Sequence, residues 1–144
     1  YWTLECWVKT TGRGQLIAKW AGSQGQQSGD YDYFLGVSSN GTLLGKFSIL
    51  IYYFTIDENG NFNLGVDIQE DANDINGMTM VNDGEWHHVA YSRDASNTYL
   101  YVDGYLDSKQ DYLQYFMIGY PYAWSPRFLE GPLVMGYQLN GYMD

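Results

Sequence analysis

Apolar and polar positions alternate with a period of two along most of the chain, and no long window places apolar residues at i, i+3, i+4 and i+7. Successive side chains of a strand point to opposite faces, so this period predicts strands and argues against helices. Trp2, Leu4, Cys6 and Val8 fall on one face of the first run. Further on, Trp86, His88 and Ala90 oppose His87, Val89 and Tyr91, and Leu100 with Val102 opposes Tyr99 with Tyr101. The expected core is Leu4, Cys6, Val8, Trp86, Val89, Leu100 and Val102.

Six Asx-Gly pairs punctuate the runs: Asn40-Gly41, Asn59-Gly60, Asn76-Gly77, Asp83-Gly84, Asp103-Gly104 and Asn140-Gly141. Asx-Gly tolerates the positive φ of tight hairpin turns, so the punctuation predicts antiparallel strands joined by short loops. The clearest hairpins are 33–37 with 42–47, and 47–56 with 62–68. Many short strands at this spacing give an all-β sandwich or barrel. No repeat, low-complexity tract or Pro- or Ser-rich linker divides the chain, so 1–144 reads as a single domain. The chain begins inside a strand pattern with no leader sequence, and is read as a fragment of a longer protein.

Composition narrows the partners. Seven Lys and Arg against seventeen Asp and Glu give a net charge of −10. That charge repels phosphate backbones and anionic lipid, so nucleic acid and membrane surfaces are excluded as partners, while cations, calcium included, are favoured. The most apolar run, 47–56, is about half the length of a membrane-spanning helix, so no membrane insertion is expected. Aromatic residues make up 18% of the chain and charged residues only 17%, a balance that favours a packed fold over disorder. The single cysteine, Cys6, excludes an internal disulfide and reads as a small core residue.

The run Asp83-Gly84-Glu85-Trp86-His87-His88-Val89-Ala90-Tyr91-Ser92-Arg93-Asp94, followed by Tyr99-Leu100-Tyr101-Val102-Asp103-Gly104, resembles the signature of laminin-G-like, concanavalin A-like jelly-roll domains. Two further stretches are similar to that family: 4–9, near its second strand, and 131–144. The resemblance implies an antiparallel two-sheet jelly-roll sandwich. It also implies an extracellular or cell-surface module that binds glycans or proteins, often with calcium at one rim. Family members carry strands before 4–9 and after 144, so the terminal strands of this chain are expected to expose edges that flanking segments or a second chain would cover.

The chemistry candidates follow from residue type. Retaining endo-glucanases of the same fold use E-x-D-x-x-E on one strand, which sets two carboxylates at the short spacing of double displacement. No such run occurs here, and Glu58, Glu70, Glu85 and Glu130 lack a second partner, so the chain is not expected to be an enzyme. Adjacent strand residues point apart, so His87 and His88 cannot share a metal and are read as structural. Asp71, Asn73 and Asp74 form the densest oxygen cluster and the candidate calcium site, with an ordinary polar loop as the alternative. Asp30 with Asp32, and Asp57 with Asn59 and Asn61, are weaker candidates. The aromatic stretch 112–128 offers Tyr115, Tyr120, Tyr122 and Trp124 as carbohydrate-binding candidates, because flat amphipathic rings stack on sugar faces. The same rings would equally plug an open end of the sandwich or seal a contact with a neighbouring domain. The strand 47–54 is apolar on both faces, so either a second chain or the chain's own loop should cover it. The expected function is a non-catalytic recognition or adhesion module whose partner is a glycan or a cell-surface protein. The rivals are a structural subunit or domain of a surface filament or multi-domain array, contacting copies of itself or neighbouring domains through Phe47–Phe54 and the terminal strands, and then a glycoside hydrolase or polysaccharide lyase.

Overall fold

The computed structural model describes residues 2–20, 31–47, 49–69, 75–94, 97–111, 123–126 and 133–144. Thirteen strands lie among them: β1 Trp2–Thr10, β2 Gly14–Trp20, β3 Tyr31–Val37, β4 Thr42–Phe47, β5 Ile49–Ile56, β6 Phe62–Gln69, β7 Ile75–Met80, β8 Trp86–Arg93, β9 Asn97–Val102, β10 Tyr105–Asp111, β11 Ala123–Pro126, β12 Leu133–Met135 and β13 Gly141–Met143. The described residues contain no helix.

Two antiparallel sheets of five strands form the jelly-roll sandwich, one in the order β10-β9-β8-β1-β13 and the other β12-β2-β3-β4-β7. A third sheet, β11-β5-β6, has three strands. The core lies between the two large sheets. Cys6, Val8, Val89, Tyr91, Leu100 and Val102 from the first meet Leu16, Leu35, Val37, Leu43, Ile75 and Val81 from the second side of the sandwich. Trp2 seals one end, its ring 5.1 Å from Tyr91 in a T-shaped contact and 5.9 Å from Tyr33 on the opposite sheet. Burial pushes the Cys6 thiol up to about 11, which fits a packing role.

The alternation places the core as expected, with one correction. Trp86 is not a core residue. It pairs with Lys9, one register step from the Val8–His87 pair, and therefore points out of the sandwich together with Lys9. Leu4 is only partly buried against the cluster.

Four of the Asx-Gly pairs make turns, with Gly41, Gly60, Gly84 and Gly104 at positive φ. At Asp103-Gly104 both residues have positive φ, 51° and 82°, as a two-residue hairpin between β9 and β10 requires. The other two pairs correct the sequence reading: Gly77 lies within β7, and Gly141 opens β13. Close approach, rather than turning, explains glycine there. A Cβ on Gly141 would strike the Lys9 carbonyl, and one on Gly77 would strike the Asp107 carboxyl.

The Gly77 contact marks how the sandwich is closed along one side. From Thr42↔Met80 to Leu44↔Asn76, β4 advances two residues while β7 advances four, so β7 bulges away from its partner. Asp107, at the register shift of β10, reaches across from the first sheet into this bulge. Its two carboxyl oxygens accept the Met78 and Thr79 amides, each at 2.9 Å. One buried carboxyl thereby ties the edge strands of both sheets and occupies donors that another strand could use.

β1 is an interior strand. β8 runs beside Trp2–Lys9, and β13 pairs with Val8–Thr10 on the other side. Asp144 extends that pairing: the Trp7 amide donates to its carbonyl at 2.7 Å, and its own amide donates to the Trp7 carbonyl at 3.0 Å. Among the described residues, no strand continues β13 alongside Trp2–Cys6.

Replacing Asp107 by Ala should cost about 2–4 kcal/mol, because it strands two backbone donors and unties the seam. Chemical denaturation would show this, with Asp107→Asn, which retains one acceptor oxygen, falling between the variant and the parent.

Candidate recognition face

The strands that build the core also build a second surface. Residues alternating with the buried set of β1, β8 and β9 are Thr3, Glu5, Trp7, Lys9, Trp86, His88, Ala90, Ser92, Tyr99 and Tyr101. Their register arranges them in rows across the first sheet. Tyr142, Lys9 and Trp86 make one row, and Asp144, Trp7 and His88 the next. Glu5, Ala90, Tyr101 and Leu106 follow, and then Thr3, Ser92, Tyr99 and Lys109. With neighbouring strands about 4.8 Å apart, β13 to β9 spans about 14 Å.

Three rings stand well out of the surface: Trp7 is 49% exposed, Trp86 45% and Tyr142 69%. Trp7 and Trp86 are diagonal neighbours, a relation that separates residues by about 7–8 Å. Local contacts hold the rings. Trp7 leans on His88 with centroids 5.3 Å apart, and His88 Nε2 lies 3.7 Å from Glu5 Oε2. Tyr99 stacks on Tyr101 at 6.2 Å, and Lys109 Nζ sits 5.7 Å from the Tyr99 centroid. The Tyr99 hydroxyl donates to Asp94 at 2.6 Å, and that hydrogen bond pushes the phenol up to about 12. The surface is therefore aromatic and polar, with hydroxyl, carboxyl and ammonium groups between the rings. The inner face of the same sheet is largely aliphatic.

At the Trp86 end of this face two turns meet around His87. Its Nδ1 lies 2.8 Å from Asp103 Oδ2 and its Nε2 3.2 Å from Asp83 Oδ1. Asp103 Oδ1 also accepts the His88 amide at 2.8 Å, and the Asp103 amide donates to the His88 carbonyl at 2.8 Å. Asp83 Oδ1 accepts the Glu85 amide at 2.9 Å, and the Gly84 amide donates to the Thr10 carbonyl at 3.0 Å. The two histidines thus point apart as expected, His87 into the turns and His88 onto the outer face.

This architecture and the 83–104 signature coincide with a known family. The chain matches Laminin_G_3, of the concanavalin A-like lectin/glucanases superfamily, over residues 1–133. It belongs to that family. No curated relative matches it.

The residues singled out from sequence in this laminin G-like domain fall unevenly. Tyr115, Tyr120 and Tyr122 lie outside the described residues, as do Asp71, Asn73 and Asp74. Trp124 lies on β11, paired with Ile51 of β5, so the aromatic stretch and the apolar strand share the three-stranded sheet. β5 is flanked by β6 and β11 along its backbone edges. Asp57 is committed to its hairpin: Oδ1 accepts the Asn59 and Asn61 amides, each at 2.9 Å, and Oδ2 accepts Asn61 Nδ2 at 3.0 Å. Among the described residues no three His, Cys, Asp or Glu side chains gather as metal ligands.

Sequence reasoning missed the outer face. Its signal was present in the aromatic residues at the positions opposite in parity to Cys6, Val8, Val89 and Leu100, where a solvated sheet would ordinarily carry small or charged side chains.

Proposed function

We propose that this domain is a non-catalytic recognition module, working outside the cell or on its surface, that binds a neutral glycan on the outer face of the β13-β1-β8-β9 sheet. The observation that carries the reading is the chemistry of that face: exposed Trp and Tyr rings separated by hydroxyl, carboxyl and ammonium groups, with Leu106 as its one large aliphatic side chain among the rows described. Indole and phenol rings pack on the C–H faces of sugars, and the polar groups between them serve hydroxyls. A face specialised for burying an obligate protein partner would be expected to carry more aliphatic surface. The net charge of −10 turns away polyanionic chains and favours neutral ones. The non-catalytic reading rests on the absent E-x-D-x-x-E run.

A glycan array probed with the purified domain should give binding to neutral oligosaccharides, and Trp7→Ala or Trp86→Ala should weaken it at least tenfold without lowering the melting temperature by more than a few degrees. Binding unaffected by both changes but abolished by Trp124→Ala would move the site to the 112–128 stretch. No binding to any glycan would favour the structural-subunit reading. Incubation with β-glucans or alginate should release no reducing sugar above buffer, and turnover abolished by a single Glu→Gln change would refute the non-catalytic assignment.

A further inference from the structure

His87 stands between carboxyl groups from two different turns, 2.8 Å from Asp103 and 3.2 Å from Asp83. A neutral imidazole has one N–H and one lone pair, so it donates to only one of two acceptors, and its other nitrogen would present a lone pair to a carboxylate oxygen. The imidazolium donates to both.

We propose that His87 is a proton-operated clamp: charged, it ties the Asp83–Glu85 turn to the Asp103–Gly104 hairpin, and neutral, it keeps Asp103 and releases the Asp83 turn. The order of release follows from the contacts. Asp103 makes the shorter bond and is also fixed by its two hydrogen bonds with the His88 backbone. Asp83 makes the longer one, and its side chain is half exposed, so water replaces the imidazole there. Trp86 follows this turn directly, so its release loosens that end of the aromatic face. The functional consequence rests on the recognition reading, whereas the clamp does not.

The charged groups bearing on the ring are Asp83, from the turn before β8, and Asp103, from the β9–β10 hairpin. His88 adds its influence on Asp103, and Glu85 contributes the amide that Asp83 holds. The β1 residue opposite His87 is the uncharged Val8. Burial weakens His87 as a base, but the hydrogen bonds and charges of Asp103 and Asp83 outweigh it and raise its pKa above 6.5. Asp83 is lowered from 3.8 chiefly by the Glu85 amide and then by His87. Asp103 is lowered against the opposing effect of its burial, through His87 and the His88 amide. A histidine strengthened by folding stabilises the fold fully below its unfolded value and ceases to as pH rises through its folded value; carboxyls lowered by folding stabilise above 3.8 and cease to as pH falls. The clamp is therefore closed from about pH 4 to 6.5 and opens on the alkaline side.

Nuclear magnetic resonance of the whole 144-residue chain between pH 5 and 9 tests this. Both ring nitrogens of His87 should carry protons at pH 5.5, with a midpoint above 6.5, and the Gly84 and Glu85 amides should shift with that midpoint. Asp83→Asn, a change at an exposed side chain, should lower the midpoint and leave the two amides insensitive to pH. A midpoint at or below 6.5, or amides that stay fixed while His87 titrates, would overturn the clamp. Glycan affinity measured at pH 6 and 8.5 on the same samples separates the two claims. Tighter binding at pH 6 that Asp83→Asn equalises supports the link to the face. Absence of binding in both proteins at both pH values counts against the recognition reading alone and leaves the amide result to decide the clamp.

Discussion

Every feature of the first sheet depends on one constraint, that adjacent residues of a strand face opposite ways and cannot be chosen independently. With β1 and β8 in the register Val8↔His87 and Lys9↔Trp86, putting Cys6, Val8, Val89 and Tyr91 into the core obliges Trp7, Lys9, Trp86 and His88 to face out. A slip of one residue would exchange the two sets, burying Lys9 and exposing Val8. The aliphatic core thus holds the aromatic face in place, since the energy that fixes the inner set fixes the outer set with it. Asp103 reinforces the register locally by gripping the His88 amide and the His87 ring from the β9–β10 hairpin.

The two sheets are joined by more than apolar contact. Asp107 leaves β10 at its register shift and satisfies two amides in the β7 bulge, an arrangement that needs glycine at position 77 so that the carboxyl can approach the backbone. This crossing explains an irregularity that would otherwise be a defect. The extra residues in β7 turn its donors toward Asp107, and the bulge that breaks the ladder to β4 is the feature that closes the seam.

The fold was legible because the signals that specify it are local. Period-two alternation located the core faces of 2–8, 87–91 and 100–102, and Asp103-Gly104 announced its hairpin by composition alone. What failed had a long-range cause. Gly77 and Gly141 look like turn residues, yet their roles are set by Asp107 and by the Lys9 carbonyl, partners 30 and more residues away in the chain. Trp86 is the local exception: its apolar character within an alternating run predicts a core position, yet its parity is that of His88 and opposite to that of Val89, so it faces out. Parity marks the outward rings strand by strand, but their assembly into one face depends on registry, because Tyr142, Trp7, Trp86 and Tyr101 come from four separate strands. The three-stranded sheet joining β5 to β11 brings two segments of unusual composition together in the same way.

A surface made of rings and polar groups on a rigid sheet requires little ordering on binding, which lowers the entropic cost of engaging a flexible sugar chain. The family to which the chain belongs supplies the sandwich, while the site has to be argued from this chain's own residues. The most direct measurement is the indole N–H spectrum of the domain during titration with a neutral oligosaccharide. The Trp7 and Trp86 signals should move together and saturate with one dissociation constant, while that of Trp2, packed between Tyr33 and Tyr91, stays fixed. Movement confined to Trp124, with Trp7 and Trp86 unchanged at saturation, would contradict the assignment of this face.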